Sequence, residues 1–250
     1  MRSHDQAMRA TWETSFAEQV ARQAYNTAPV EALVRSVSYY LRDRHEHEDL
    51  ERLHFCEMGC GAGPNLVWLA EKGIRVSGVD IAPTALDLAR ENLEGRGLGD
   101  RVEALVEGSV SHVPELEDAS LDGIVESCVY QHLPREDRLD AFREIDRLVK
   151  PGGLFVGHML EQGHTVFRKR AAEQREDDPG TLVLEEGGSN VYLTNIGLSH
   201  FFTKDEVRGL LSGWSVVDPC LAQYEIPRVE ATKRGYESYL QSMLIVYAIK

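Results

Sequence analysis

The chain has 250 residues, with 41 acidic side chains against 27 lysines and arginines and a formal net charge of −14. That length suits one sizeable α/β domain with an appended cap, and the charge disfavours a polyanionic partner such as nucleic acid, since no long Lys/Arg block offsets the acids. No apolar run approaches the ~18 residues of a membrane span and no N-terminal stretch reads as a signal peptide, so the sequence predicts a soluble, cytoplasmic protein with no membrane partner.

Residues 5–24 place Trp12, Phe16 and Val20 at four-residue spacing, which predicts one amphipathic helix. Pro29 opens a second helix running to about Asp43, with Leu33, Val37, Tyr40 and Leu41 on one face. His45-Glu46-His47-Glu48 offers metal-type side chains but reads as a solvated linker, and no metal site is expected. Strands are predicted over 53–58, 74–79, 102–106, 121–126 and 154–159, with helices over 64–72, from Pro83 to near Gly95, and from Pro134 to Lys150. This alternation predicts a parallel, doubly wound α/β sheet. Residues 161–199 break the rhythm as an insertion. Thr203-Lys204-Asp205-Glu206 is a capping box leading into a helix over 204–212. Strands at 214–217 and 240–249 close the chain. The four cysteines, Cys56, Cys60, Cys128 and Cys220, form no C-x-x-C pair and read as reduced thiols.

The first strand leads into Glu57-Met58-Gly59-Cys60-Gly61-Ala62-Gly63-Pro64-Asn65, and the second strand ends in Asp80. Glycines serve where backbone turns sharply and lies close to a ligand. Pro64 suits a first helical turn. The Asp80 carboxylate stands where it can accept hydrogen bonds from ribose hydroxyls. The spacing is G-x-G-x-G, not the G-x-G-x-x-G of dinucleotide sites, and Glu57 would repel a diphosphate while suiting a cationic ligand.

These residues resemble the class I S-adenosylmethionine-dependent methyltransferases, small-molecule type, whose first motif reads like E-x-G-C-G-x-G. The resemblance covers roughly 50–160 well and 200–250 more loosely. It implies a Rossmann-like fold with a mostly parallel, seven-stranded sheet, N-terminal helices, and a cap insertion after strand 5. The last two strands would form a hairpin with the final strand antiparallel. Within a single domain, 1–48 would be a helical lid, 49–160 the cofactor-binding core, 161–202 a substrate cap and 203–250 the rest of the core. S-adenosyl-L-methionine would be the cofactor, held by Glu57, Gly59, Cys60, Gly61, Gly63, Asn65, Asp80, Ile81, Gly108, Ser109, Val110 and Glu126. Ser109 departs from the family, which usually carries an acid there toward the adenine.

The segment Glu126-Ser127-Cys128-Val129-Tyr130-Gln131-His132-Leu133-Pro134 matches the fourth motif in position. It lacks the Asn/Asp-Pro-Pro-aromatic run of enzymes that methylate nucleic-acid amines. Pro219-Cys220 lies too far downstream to be a cytosine-type nucleophile. Tyr130, His132 and His158 are the catalytic candidates. His158 ends strand 5 and titrates near neutrality, while His132 equally suits a loop-holding role. His164, Arg168, Tyr192 and His200 are further acceptor-facing candidates, and Arg168-Lys169-Arg170 would suit an anionic acceptor. Trp12 and Tyr25 are placed to close over a sulfonium. The expected activity is methyl transfer to an oxygen or nitrogen of a small metabolite or natural-product intermediate. Two alternatives stay open at this point: an NAD-type oxidoreductase, and a non-catalytic module that keeps the cofactor fold. Oligomeric state is not legible.

Overall fold

A computed structural model describes residues 3–45, 47–184 and 197–250. Two helices, α1 (Ser3–Ala21) and α2 (Glu31–Arg44), precede the sheet. The second buries Leu33, Val37, Tyr40 and Leu41, the stripe its spacing requires. Then come β1 (His54–Met58), α3 (Pro64–Glu71), β2 (Arg75–Asp80), α4 (Pro83–Glu94), β3 (Val102–Glu107), β4 (Leu121–Ser127), α5 (Arg135–Leu148) and β5 (Val149–Leu160). Proline occupies the first turn of both α3 and α4, where its missing N–H costs nothing.

Seven strands form one sheet in the order β3-β2-β1-β4-β5-β9-β8, where β8 is Val216–Glu225 and β9 is Leu240–Ile249. β9 runs antiparallel to both its neighbours, and the five strands from β3 to β5 are parallel. The chain winds outward from β1 through β2 to β3, then returns to place β4 on the other side of β1. That reversal opens a crevice at the carboxyl ends of β1 and β4. Apolar clusters cover both sheet faces, one holding Met58, Ile124, Phe142 and Phe155, the other Leu33, Phe55, Leu66 and Val125.

Three boundaries differ from the sequence reading. β5 starts at Val149, which pairs with Leu121, before an irregularity around Pro151-Gly152-Gly153. β8 extends to Glu225, although nearly all its residues are half-buried or exposed. It lacks the apolar alternation that marks a strand in sequence, and its ladder with β9 creates it. The expected β8–β9 hairpin is joined through a short helix, α8 (Arg228–Lys233).

The insertion contains α6 (Thr165–Arg170) and a separate two-stranded antiparallel sheet of β6 (Thr181–Leu184) and β7 (Gly197–His200), followed by α7 (Lys204–Leu210). It has its own apolar cluster, with Phe167, Leu182 and Phe201 packed on Tyr239 and Met243. A buried polar chain fixes it to α5. Arg138 donates to Asp178 at 2.7 Å, Thr181 donates to Asp178 at 2.6 Å, and His200 bridges Thr181 (2.7 Å) to Glu206 (2.9 Å). Residues 185–196, including Tyr192, lie outside the described residues. No described helix is long and apolar enough to cross a membrane.

Candidate active site

The glycine turn is built by backbone conformation. Gly59, Gly61 and Gly63 have φ of +74°, +51° and +77°, a region that a Cβ disfavours. The N–H groups of Gly59 and Cys60 both donate to the Val79 carbonyl, at 2.7 and 3.0 Å, which folds the turn over β2. Gly63 faces α4, where a Cβ would sit 3.0 Å from that of Ala89, so it serves helix packing and does not line the cavity.

Asp80 faces the turn from the end of β2. Its Oδ2 accepts from the Gly61 N–H at 2.8 Å and its Oδ1 from the Ala82 N–H at 3.0 Å. Burial pushes its carboxyl up from the usual range, against the pull of these backbone donors. Asp80→Ala is expected to weaken S-adenosylhomocysteine binding by about 1–3 kcal/mol; unchanged affinity by calorimetry would remove Asp80 from the nucleoside.

Glu57, at the end of β1, is 2 % exposed. Its Oε1 accepts from Asn65 Nδ2 at 2.6 Å, and Asn65 Oδ1 accepts from the Val30 N–H at 2.8 Å, which ties the turn to the entry of α2. Glu57 Oε2 is buried without a partner. Burial pushes the carboxyl up to about 8, with Asp80 and Glu126 adding to the effect and Asn65 opposing it. An unpaired carboxyl oxygen on a cavity wall calls for a hydrogen-bonding partner that a ligand can supply.

The cavity has a volume of about 280 Å³. Glu57, Gly59, Cys60, Gly61, Asn65, Asp80 and Ile81 line its glycine-turn end, and Gly108, Ser109 and Val110 line the side beneath β3. Ser109 Oγ lies 2.9 Å from Ser111 Oγ. Helix α1 closes the cavity with Met8, Trp12, Phe16 and Gln19. It is held by the Arg9–Glu107 ion pair at 2.5 Å and by Glu13, which accepts from the backbone and hydroxyl of Thr84. Trp12 is on the cavity wall, whereas Tyr25 does not reach it.

The loop after β4 corrects several expectations. Glu126 is fully buried and off the cavity wall. Its carboxylate accepts from the N–H groups of Val129 (3.1 Å) and His158 (3.2 Å), so it pins the loop to β5. Tyr130 turns away from the crevice. Its ring is fully buried, stacked with Phe155 and edge-on to Phe142, out of any acceptor's reach. His132 lines the cavity beside Trp12 but has both ring nitrogens engaged. Nδ1 lies 3.0 Å from the Leu198 carbonyl, which can only accept, so Nδ1 carries the proton and Nε2 accepts from Gln131 Nε2 at 3.2 Å. Gln131 is oriented in turn by the Leu160 N–H, which donates to its Oε1 at 2.7 Å. Burial lowers the His132 pKa to about 4. It is a neutral strut between the loop and β7, not a free base.

His158 is likewise not on the cavity wall; Ser127 and Cys128 stand there. Ser127 Oγ lies 3.0 Å from His158 Nδ1. Ser127 is not among the residues the sequence singles out, although its place at the end of β4 is a signal that points to it. Met8, Gln19, Asn26 and Val30 carry no such signal, because nothing in their spacing relates them to a turn so far along the chain. The remaining candidates fall elsewhere. His164 is buried and accepts from the Val166 N–H, and His200 belongs to the cap's polar chain. Arg168 and Lys169 are exposed, Arg170 pairs with Glu173, and none lines the cavity. Among the described residues, no group of three or more His, Cys, Asp or Glu is placed to hold a metal ion.

A parallel sheet with its switch point at β1/β4, a glycine turn and an acid at the end of each of β1 and β2 define an α/β domain with a crevice at the carboxyl ends of its strands. Residues 56–157 match the family model of a methyltransferase domain. A sterol 4-C-methyltransferase of Caenorhabditis elegans is 30% identical over 110 residues, 44% of this chain and 32% of that protein. The methyltransferase GfsG of Streptomyces halstedii is 37% identical over 111 residues, 43% of this chain and 38% of that protein. The chain thus spans well under half the length of these curated relatives. In fold it is similar to the 1,6-didemethyltoxoflavin-N1-methyltransferase of Burkholderia thailandensis, solved with 1,6-didemethyltoxoflavin and S-adenosylhomocysteine. That likeness has a TM-score of 0.58 at 20% identity and covers 100% of this chain and 91% of the other. The matched segment, 56–157, holds the glycine turn, Asp80 and the loop after β4, so the similarity to a methyltransferase domain falls on the cavity described above.

Proposed function

We propose that this protein transfers a methyl group from S-adenosylmethionine to an oxygen or nitrogen of a small metabolite or natural-product intermediate. The observation that carries the reading is the unpaired Glu57 Oε2 on the wall of a cavity roofed by apolar side chains of α1. The cofactor's ammonium would answer Glu57, its ribose Asp80, and its adenine the stretch 108–110. When bound, it supplies an electrophilic methyl group on a sulfonium. The chain's own work is to hold the acceptor in line with that methyl and to exclude water. Trp12 and Phe16 perform the exclusion, and an aromatic face also favours a sulfonium. Small-molecule chemistry fits the relatives, one of which acts on a sterol. The net charge of −14 disfavours nucleic acid. Buried free thiols at Cys56 and Cys60 suit a reducing cytoplasm.

Two experiments test the reading. Calorimetric titration should show S-adenosylhomocysteine binding and no NAD binding. Transfer of a labelled methyl group to members of a panel of alcohols, phenols and amines then separates an enzyme from a non-catalytic module. Tight cofactor binding with no transfer to any of them would favour the module. Residues 1–28 act as a lid in this reading, so their deletion is expected to cost turnover far more than cofactor affinity. Wild-type turnover after deletion would discard the lid.

A further inference from the structure

Beyond the cofactor end, the cavity is walled by Trp12 and Phe16 on one side and by Ser127, Cys128 and His132 on the other. Among the described residues, Glu57 and Asp80 are the only charged side chains on its wall, and no lysine or arginine reaches it. A carboxylate or phosphate entering here would lose its water and find no lysine or arginine to pair with. His132 offers no charge, since its neutral ring has both nitrogens engaged. One polar group on this side leads further. Ser127 Oγ lies 3.0 Å from His158 Nδ1, and the two residues are register partners on β4 and β5. The pairing is rigid, because Cys128 N–H donates to the His158 carbonyl at 2.9 Å and His158 N–H to Glu126 at 3.2 Å. Cys128 Sγ lies 3.7 Å from the same imidazole nitrogen, but burial pushes its thiol up to about 12, so it stays protonated.

We propose that the methyl acceptor is an uncharged, largely apolar molecule whose hydroxyl is received by Ser127, with His158 behind it taking the proton. This rests on the methyltransferase reading above. In the transfer, the acceptor oxygen bonds to the methyl carbon while the sulfur–carbon bond breaks and leaves its electron pair on sulfur. The acceptor's proton passes to Ser127 Oγ as the serine's own proton passes to His158 Nδ1. Burial lowers the His158 pKa to about 4, yet a methylated oxonium is a far stronger acid than an imidazolium, so the proton moves downhill.

The test uses 2-naphthol and 2-naphthoate, which share a ring system and differ in charge at neutral pH. Titrated into protein loaded with S-adenosylhomocysteine, naphthol should bind at least about tenfold tighter than naphthoate. Ser127→Ala should lower naphthol affinity about fivefold. Equal or tighter naphthoate binding, or binding of neither, overturns the acceptor class. Unchanged naphthol affinity in Ser127→Ala overturns the contact. With S-adenosylmethionine and a phenol that the panel shows to be methylated, Ser127→Ala and His158→Asn should each lower kcat about tenfold or more. The double variant should lose no more than either single one, and Ser127→Thr should restore most of kcat. Independent multiplicative losses, or unchanged kcat, overturn the relay. If S-adenosylhomocysteine itself fails to bind, the methyltransferase reading falls; if it binds and naphthoate is preferred, only this inference does.

Discussion

Glu57→Gln is expected to weaken S-adenosylhomocysteine binding at pH 8.5 by about 1.5–3 kcal/mol, roughly 10- to 150-fold, the range of a hydrogen bond to a charged group. The same change should stabilise the ligand-free fold. Both effects come from one buried oxygen. Burial pushes the Glu57 carboxyl from an ordinary 4.5 to about 8, helped by Asp80 and Glu126 and opposed by Asn65. The folded state therefore holds this proton more tightly than the unfolded chain does. Below about 4.5 the group is neutral in both states and costs nothing. As pH rises from there to about 8, the unfolded chain gains a solvated carboxylate that the fold resists, so stability falls across that window and levels off above it. Glutamine keeps an acceptor for Asn65 and removes the charge. Its stabilising effect should be absent near pH 4 and reach on the order of 5 kcal/mol above pH 8 by denaturant titration. Cofactor affinity runs the other way. The ionised carboxylate answers the ammonium, so wild-type affinity should rise between pH 6.5 and 8, while that of the glutamine variant stays flat. A flat wild-type profile together with unchanged affinity in the variant would mean that Glu57 faces no cation.

Gly59→Ala is expected to destabilise the protein by about 2–5 kcal/mol, combining the cost of a side chain in left-handed backbone with overpacking. At φ +74°, the added Cβ would lie 2.2 Å from Val129 Cγ2 and 3.1 Å from Val129 Cβ. Valine has few rotamers to escape into, and its backbone N–H is held by Glu126. The strain therefore spreads to the loop carrying Ser127 and His132. The melting temperature should fall by roughly 5–15 °C for a domain of this size. Val129→Ala in the same chain should restore the steric part of the loss and leave the backbone part, a coupling that a double-mutant cycle measures. Two losses that simply add would mean that the glycine turn and the loop after β4 do not press on one another.

The class of fold and the cofactor end of the site were legible because their signals are local. A glycine in left-handed backbone, a proline in a first helical turn and an acid ending an apolar run each carry their reason within a few residues. Glu57, Gly59, Gly61 and Asp80 lie together on one cavity wall. The acceptor side carried no such signal. Ser127, Tyr130 and His132 sit within six residues of one another, and which of them faces the crevice depends on Glu126 anchoring the loop to β5. That anchor turns Tyr130 inward among Phe142 and Phe155 and leaves Ser127 at the cavity. In the same way, the ladder with β9, not the residues of β8 themselves, made the edge strand.

By itself, then, the sequence determined a doubly wound sheet, a glycine turn and two carboxylates suited to a cationic nucleoside, since backbone stereochemistry and hydrophobic periodicity act between near neighbours in the chain. Only the tertiary structure decided that α1 roofs the cavity, that Arg168, Lys169 and Arg170 stay off its wall, and that His158 stands behind Ser127. Those placements come from pairing and packing between residues far apart along the chain, whose identities do not name their partners.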